Sequence, residues 1–210
     1  MRRAAILLVV AATGMIAGSS LGSTMAAFSA TTSTPANSLE AASSFCSESQ
    51  TLTATRDAWI VTNPGNGNNG TDTSLYVVSR AQNRRIFVGF DLPAIPAGCT
   101  LTDARLRLNA TSSQGTRTIL AYRVSGGWTE TGVTWDSQPG TSGSPSSGAS
   151  GTGWREWAVL QQVLDMYASG NHGFMLRDQT EGANGQGFTQ VYDAREGGAA
   201  DAPTLVLTFG

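Results

Sequence analysis

The amino-acid sequence predicts an all-β fold, a jelly-roll-type β-sandwich with one short helix, that follows an N-terminal signal peptide. Two segments, LTDARLRLNA (101–110) and TLVLTF (204–209), alternate apolar and polar residues with the period of a strand. Clusters of Gly, Asn, Pro and Ser separate such segments at short intervals, as turns require. Many short strands with one helix in a single domain are typical of sandwiches and jelly rolls.

The N-terminus has the pattern of a secretory signal peptide. Arg2 and Arg3 precede a run of small and mostly apolar residues from Ala4 to Gly18, and small residues that suit a cleavage site follow. Residues 1–30 are therefore assigned to a signal peptide and residues 31–45, which contain few large apolar side chains, to a flexible linker. The mature protein is predicted to be secreted and without membrane contact. An uncleaved anchor is the alternative, but the run is short for a membrane span.

The domain, residues 46–210, carries strand patterns along its whole length. The predicted strands are 57–61, 74–78, 85–92, 101–110, 118–124, 172–177, 188–194 and 204–209. Segment 157–170 is predicted as the helix, because its apolar residues recur at helical spacing and Gly170 provides a stop. The Ser- and Gly-rich segment 141–153 has no large side chain and is predicted to be a mobile surface loop.

Composition excludes several classes of function. The net charge is −2 and only 13% of residues are charged, so neither a nucleic-acid partner nor a polybasic membrane contact is expected. All 13 basic residues are Arg, which leaves no lysine for Schiff-base chemistry, and the single His172 excludes a multi-histidine metal site. Glu130 and Asp136 are a conceivable glycosidase pair, and His172 a conceivable lyase base. No catalytic motif accompanies them, so the protein is predicted not to be an enzyme.

Two cysteines, Cys46 and Cys99, fit a secreted protein. An even number of cysteines in an oxidising compartment favours a disulfide over a metal or catalytic site. Closing a loop of this length stabilises a fold by about 4 kcal/mol in the chain-entropy model. Two buried free thiols are the alternative.

Several segments resemble, in the same order, the DNRLRE domains, which include carbohydrate-binding module family 96. They are GNGNNGTDTSLYV, QNRRIFVGFDLPAIPAGCTLTDARLRL, WTETGVTWDSQP, GNHGFMLR and APTLVLTF, and the likeness covers roughly residues 52–210. The Ser- and Gly-rich insert before Trp154 departs from the pattern. The resemblance implies a β-sandwich, an extracellular location and polysaccharide binding without catalysis.

Arginines are the main candidates for contact with a carbohydrate. Arg105 and Arg107 alternate on the polar side of one predicted strand, and Arg123 on the next strand is expected to join them. Guanidinium groups bind carboxylates bidentately, so the predicted ligand is an acidic polysaccharide, with Trp59 or Tyr76 as stacking groups. In the alternative interpretation the arginines are solvated surface residues paired with Asp91, Asp103 or Glu196.

Acidic and amide side chains suggest a structural calcium ion. Asp57, Asp72 in the turn sequence PGNGNNGTDTS (64–74), and Asp193 offer the oxygen ligands that Ca²⁺ prefers. No EF-hand spacing is present, and a Gly/Asn turn without an ion is the alternative. No other cofactor is expected.

The segment WTETGVTWDSQP (128–139) contains two of the five tryptophans. It is open to three interpretations: a sugar-stacking platform, a catalytic loop, or a plug that seals the end of the core. The plug is favoured, because large aromatic side chains are mostly buried and stabilise packing. Glu130, Thr134 and Gln138 would then satisfy backbone groups of the loop itself.

The sequence therefore predicts a secreted, non-catalytic carbohydrate-binding module that attaches to an extracellular or cell-envelope polysaccharide. A structural surface or matrix protein, which uses the same sandwich for protein–protein assembly, is the alternative. The oligomeric state and the identity of the polysaccharide stay open.

Overall fold

The computed structural model describes Cys46, residues 49–182 and residues 187–210. The predicted signal peptide (1–30) and linker (31–45) lie outside the described residues. Within the described part, no helix is long and apolar enough to cross a membrane.

The described residues form twelve strands, one α-helix and one 3₁₀ turn. The strands are β1 (Ser49–Thr53), β2 (Arg56–Val61), β3 (Asn68–Asn69), β4 (Ser74–Ser79), β5 (Arg84–Gly89), β6 (Leu101–Ser113), β7 (Thr118–Val124), β8 (Thr141–Ala149), β9 (Gly153–Ala158), β10 (Phe174–Asp178), β11 (Phe188–Asp193) and β12 (Thr204–Phe209). The helix α1 spans Leu160–Ser169 and the 3₁₀ turn Arg195–Gly197. The predicted all-β fold with one short helix is confirmed.

The strands form one antiparallel sheet that curls around its own core. The hydrogen-bonded order is β1-β12-β6-β11-β4-β5-β10-β7-β8; in addition, β2 pairs with β5, β3 pairs with β2, and β9 pairs with β6. The long strand β6 is central: β12 pairs with its first half, β11 with its last residues, and β9 lies along its other edge. Sequence neighbours such as β6 and β7 are therefore not neighbours in the described sheet.

The main core lies inside the curl. Alternate residues of β6 face inward, among them Ala104, Leu106 and Leu108, and all three are fully buried. Trp157 from β9 and Met166 from α1 join the same cluster. The inner face of the sheet therefore packs in this core. The outer face contacts either solvent or a second layer of side chains.

The segment WTETGVTWDSQP provides that second layer on one part of the sheet. Ile60, Phe87 and Met175 point away from the main core and form a second apolar cluster. Val133 is buried in this cluster, and Trp128 and Trp135 pack against it. The segment therefore covers apolar side chains, as the plug interpretation requires, but it covers the outer face of β2, β5 and β10 and not the end of the core.

Hydrogen bonds hold the segment in place. Thr134 Oγ1 accepts a hydrogen bond from the Ser137 amide, and Gln138 Nε2 donates to the Trp135 carbonyl, as expected. Glu130 differs, because its carboxylate accepts the amide of Asp57 in β2 at 2.9 Å instead of an amide of its own loop. The segment is thereby joined to the sheet by a side chain as well as by apolar packing.

The prediction of a mobile loop over 141–153 is wrong. Thr141–Ala149 forms β8, which pairs with β7, and Gly153 begins β9. The small residues are required because a Cβ atom on Gly148 would lie 2.6 Å from Nε1 of Trp157. Ser146 Oγ also donates to the Ala158 carbonyl, and Gln162 Nε2 donates to the Ser144 carbonyl at 3.2 Å. These contacts hold β8 against β9 and α1.

The predicted disulfide is confirmed. Cys46 and Cys99 are bonded, with their Cα atoms 5.4 Å apart. Cys46 precedes β1 and Cys99 precedes β6, so the bond fastens the edge strand β1 to the start of the central strand.

Candidate functional site

An exposed sheet face on β6 and β9 carries two of the predicted arginines. Arg105, Arg107 and Asn109 alternate on the non-core side of β6 because strand residues two apart share a face. On β9, Glu156 lies opposite Arg107 and Trp154 lies opposite Asn109. We call the group Arg105, Arg107, Asn109, Trp154 and Glu156 the sheet face.

The arginines of the sheet face are paired with carboxylates. Arg105 Nε lies 2.8 Å from Asp103 Oδ2, and Arg107 Nε lies 2.7 Å from Glu156 Oε1. The ion pair between Arg105 and Asp103, which the alternative interpretation named, is thus present. The local charge is close to balanced, so this face alone gives no strong preference for an anion.

Trp154 was not singled out from the sequence. It is one of two large hydrophobic side chains that are exposed in the described part of the chain, with 37% of its surface accessible. The guanidinium of Arg107 lies 5.1 Å from its ring centroid. An exposed indole beside hydrogen-bonding side chains can stack on the apolar face of a sugar ring. The sequence did not indicate that Trp154 lies on a strand, because it follows the small-residue segment that was expected to be a loop.

Arg123 does not join the sheet face. It lies on β7, which pairs with β8 and β10, and its register partners are Phe174 and Ser142. The expectation that β7 would follow β6 in the sheet is wrong, because β9 occupies that edge of β6.

The predicted stacking residues Trp59 and Tyr76 form a separate cluster. Trp59 is only 8% exposed and its indole N–H donates to Asp72 Oδ2 at 2.9 Å. Tyr76 is half-buried and meets Trp59 edge-on, with ring centroids 5.2 Å apart. Trp59 is thus a supporting residue and only Tyr76 borders open space. That space is a cleft of about 250 Å³ lined by Tyr76, Val78, Arg80, Gln82, Arg84 and Thr189.

The predicted calcium ligands are not brought together. Asp72 accepts the Trp59 indole, and Asp193 accepts Asn109 Nδ2 at 2.9 Å. Asp57 instead meets Glu130 and Glu196, and carboxylate oxygens of these three residues lie within 4.8 Å of one another. Arg195 binds this group: its amide donates to Asp57 Oδ2 and its guanidinium to both oxygens of Glu130. An arginine thus already provides positive charge to this carboxylate cluster.

Burial in this cluster raises the pKa of Asp57 from 3.8 to about 7. The main cause is loss of hydration, since only 1% of Asp57 is exposed, and the nearby Glu196 and Glu130 charges act in the same direction. The hydrogen bond from the Arg195 amide opposes the change. Asp57 is therefore neutral in the folded protein over much of the acidic range.

This raised pKa makes stability depend on pH. Between about 4 and 7 the folded Asp57 holds a proton that the unfolded chain has lost, so the unfolding free energy falls as the pH rises. We expect a fall of about 1.4 kcal/mol per pH unit from this group within that window. Urea denaturation between pH 4 and 8 measures it.

Two variants separate Asp57 from the other carboxylates in this experiment. Asp57→Asn imitates the neutral acid, so it should gain stability relative to the wild type as the pH rises. Asp103→Asn controls for the loss of one negative charge at a surface ion pair. Parallel pH profiles for the wild type and Asp57→Asn would show that Asp57 does not titrate in this range.

Comparison with known families relates almost the whole described part of the chain to one of them. The family model of carbohydrate-binding module family 96 matches residues 48–209, which include every strand described above. No curated protein matches the chain.

Proposed function

Because the chain belongs to carbohydrate-binding module family 96, we propose that it is a secreted, non-catalytic module that attaches to a polysaccharide through the sheet face. The family match carries the proposal. The disulfide supports an extracytoplasmic location, since such bonds persist in oxidising compartments. Both carboxylate oxygens of Glu130, one member of the conceivable glycosidase pair, accept hydrogen bonds from Arg195, which supports a structural role for this residue.

The sheet face suits a polysaccharide chain because it is open and carries mixed chemistry. Trp154 offers an apolar ring, and Arg105 and Arg107 offer N–H donors on the neighbouring strand. The antiparallel backbone holds these groups in fixed register, which lowers the entropy cost of binding. A ligand would lie across β6 and β9 with one sugar ring stacked on the indole.

We expect Trp154→Ala to weaken polysaccharide binding by about tenfold or more, because exposed aromatic anchors contribute most to such interfaces. Affinity electrophoresis of the purified protein in gels that contain neutral or acidic polysaccharides measures the dissociation constants. The gels are run with and without calcium, so that the experiment also shows whether binding depends on this ion.

The matched control is Leu164→Ala on α1, which removes the other exposed large hydrophobic side chain. It should leave the migration unchanged. Retardation of the wild type by no polysaccharide would contradict the proposed function. Concentration-dependent self-association without glycan would then favour the structural matrix protein.

A further inference from the structure

We infer that the sheet face selects uncharged polysaccharides over polyanions, and that Asp193 and Asp201, which adjoin it, determine this selectivity. The inference rests on the proposed function, because it names the class of polysaccharide that the sheet face takes. It differs from the acidic polysaccharide that the arginines alone predicted from the sequence.

The side chains of the sheet face form rows across neighbouring strands. In one row Trp154 of β9 lies opposite Asn109 of β6. Asp193, the last residue of β11, continues this row, because its Oδ2 accepts a hydrogen bond from Asn109 Nδ2 at 2.9 Å. Since neighbouring strands lie about 4.8 Å apart, the backbones of Trp154 and Asp193 are separated by about 10 Å. The row thus presents an indole and a carboxylate to the same ligand.

A second carboxylate lies at the same end of the row. Asp201 precedes β12, and its Oδ1 accepts a hydrogen bond from Asn109 Nδ2 at 3.1 Å. The amide nitrogen of Asn109 therefore holds both carboxylates. Asp201 is exposed and Asp193 is half-buried. Within the described part of the chain, no arginine forms an ion pair with either of them.

These two carboxylates make the surface negative. The two arginines of the sheet face are each paired with one carboxylate, Asp103 or Glu156. Asp193 and Asp201 therefore add negative charge that no arginine neutralises. A polyanion that lies along the row brings its own negative groups close to them, and this repulsion weakens its binding. An uncharged chain binds without that cost.

Arg107 does not reverse this preference, although its charge attracts anions. Its Nε lies 2.7 Å from Glu156 Oε1, and its guanidinium carbon lies 5.1 Å from the ring centroid of Trp154. The neighbouring carboxylate offsets its positive charge, and the indole occupies part of its surroundings. A polyanion would have to compete with Glu156 for this arginine.

The hydrogen-bonding chemistry of the row also favours sugar hydroxyls. An ionised carboxylate only accepts hydrogen bonds and has about four acceptor positions, and Asn109 fills one position on Asp193 and one on Asp201. The remaining positions accept hydroxyl groups of a sugar whose ring packs on Trp154, and hydrogen bonds to ionised groups are the stronger kind. A carboxylate or sulfate group of a polyanion has no proton to donate to them.

Isothermal titration calorimetry with matched polysaccharides tests this selectivity. The pairs are hydroxyethyl cellulose and carboxymethyl cellulose, methyl-esterified and unesterified polygalacturonate, and dextran and dextran sulfate. The members of each pair share a backbone and differ in charge. We expect the uncharged member of at least one pair to bind the wild type more tightly by about fivefold or more, and Trp154→Ala to weaken this binding. Added salt should reduce the difference, because ions screen exposed charges.

Two variants assign the selectivity to the carboxylates. Asp193→Asn/Asp201→Asn removes both charges and keeps the size of the side chains. It should weaken binding of the uncharged member and strengthen binding of the charged one, so that the ratio of the two affinities falls by about fivefold or more. Glu156→Gln leaves the charge of Arg107 without its partner and should lower the same ratio. It keeps the test valid if the double variant is poorly folded.

The matched control is Asp91→Asn/Asp136→Asn. It removes two exposed carboxylates that lie outside the sheet face, so the net charge of the protein changes by the same amount. The affinity ratio should stay as in the wild type. A fall of the ratio in this control as large as in Asp193→Asn/Asp201→Asn would show that only the net charge matters, and would overturn the inference.

The remaining outcomes separate the inference from the proposed function. If charged and uncharged members bind equally well, and Trp154→Ala weakens both, the sheet face binds polysaccharides without the inferred selectivity. An unchanged affinity ratio in both Asp193→Asn/Asp201→Asn and Glu156→Gln would also overturn the inference and leave the proposed function standing. If Trp154→Ala weakens binding of no probe, or no probe binds, both are overturned.

Discussion

Trp157→Ala is expected to lower the free energy of unfolding by about 3–5 kcal/mol, the usual cost of removing a large buried aromatic side chain. Trp157 is fully buried and packs near Tyr192, with ring centroids 6.2 Å apart. Its indole N–H donates to the carbonyl of Ile119 in β7 at 2.9 Å. The residue thus connects β9, which pairs with β6, to the opposite part of the curled sheet.

The cost has two parts that a second variant separates. Trp157→Phe keeps most of the ring but leaves the Ile119 carbonyl without its donor, so a smaller loss of about 1–3 kcal/mol is expected. Urea denaturation followed by circular dichroism gives both values.

Trp154→Ala is the matched control for these variants, because it removes an exposed tryptophan three residues earlier on the same strand. It should change the unfolding free energy by no more than about 0.5 kcal/mol. Equal effects of the Trp154 and Trp157 variants would contradict the placement of Trp157 in the core.

Removal of the disulfide is the second change with a large expected effect. The bond joins residues separated by 53 positions, and loop-closure entropy then predicts a loss of about 4 kcal/mol. We expect the double variant Cys46→Ala/Cys99→Ala to unfold at a correspondingly lower urea concentration, with the loss of structure beginning at β1. This strand is at an edge and pairs with β12 alone in the described sheet.

Two measurements complete this test. Hydrogen exchange should show faster exchange of the amides of β1 in the double variant than in the wild type, while the amides of β10 in the interior of the sheet change less. A reducing agent should lower the stability of the wild type and leave the double variant unchanged. An unchanged denaturation midpoint in the variant would show that packing alone fixes β1.

The strands that contain alternating apolar residues were predictable from the sequence. The predicted segments 118–124 and 204–209 coincide with β7 and β12. The predicted helix, 157–170, contains α1 and Gly170 caps its end, but Trp157 and Ala158 belong to β9. This success has a local cause, since a strand that buries one face must repeat apolar residues at every second position. The disulfide was predictable for a similar reason, because an even number of cysteines and the predicted oxidising compartment leave few alternatives.

Strand β8 was not predictable from the alternation of apolar and polar residues. Thr141–Ala149 has no large apolar residue to alternate, and its strand conformation depends on backbone hydrogen bonds to β7 and on Trp157 beside Gly148. The residues that β8 contacts are remote from it in the sequence, so a local sequence pattern does not predict these contacts. The same error hid Trp154, the aromatic residue of the sheet face.

For the candidate sites, too, some features followed from the local sequence and others only from the tertiary structure. The sequence by itself determined that Arg105 and Arg107 share an exposed face, because they are two residues apart on one strand. Only the tertiary structure decided that Arg123 lies elsewhere, that Asp57 meets Glu130 across 73 positions, and that Arg84 stacks on Trp59 and Tyr76. The physical reason is that side-chain direction within a strand follows from local backbone geometry. The neighbours of a strand depend instead on which pairing of all strands buries the most apolar surface.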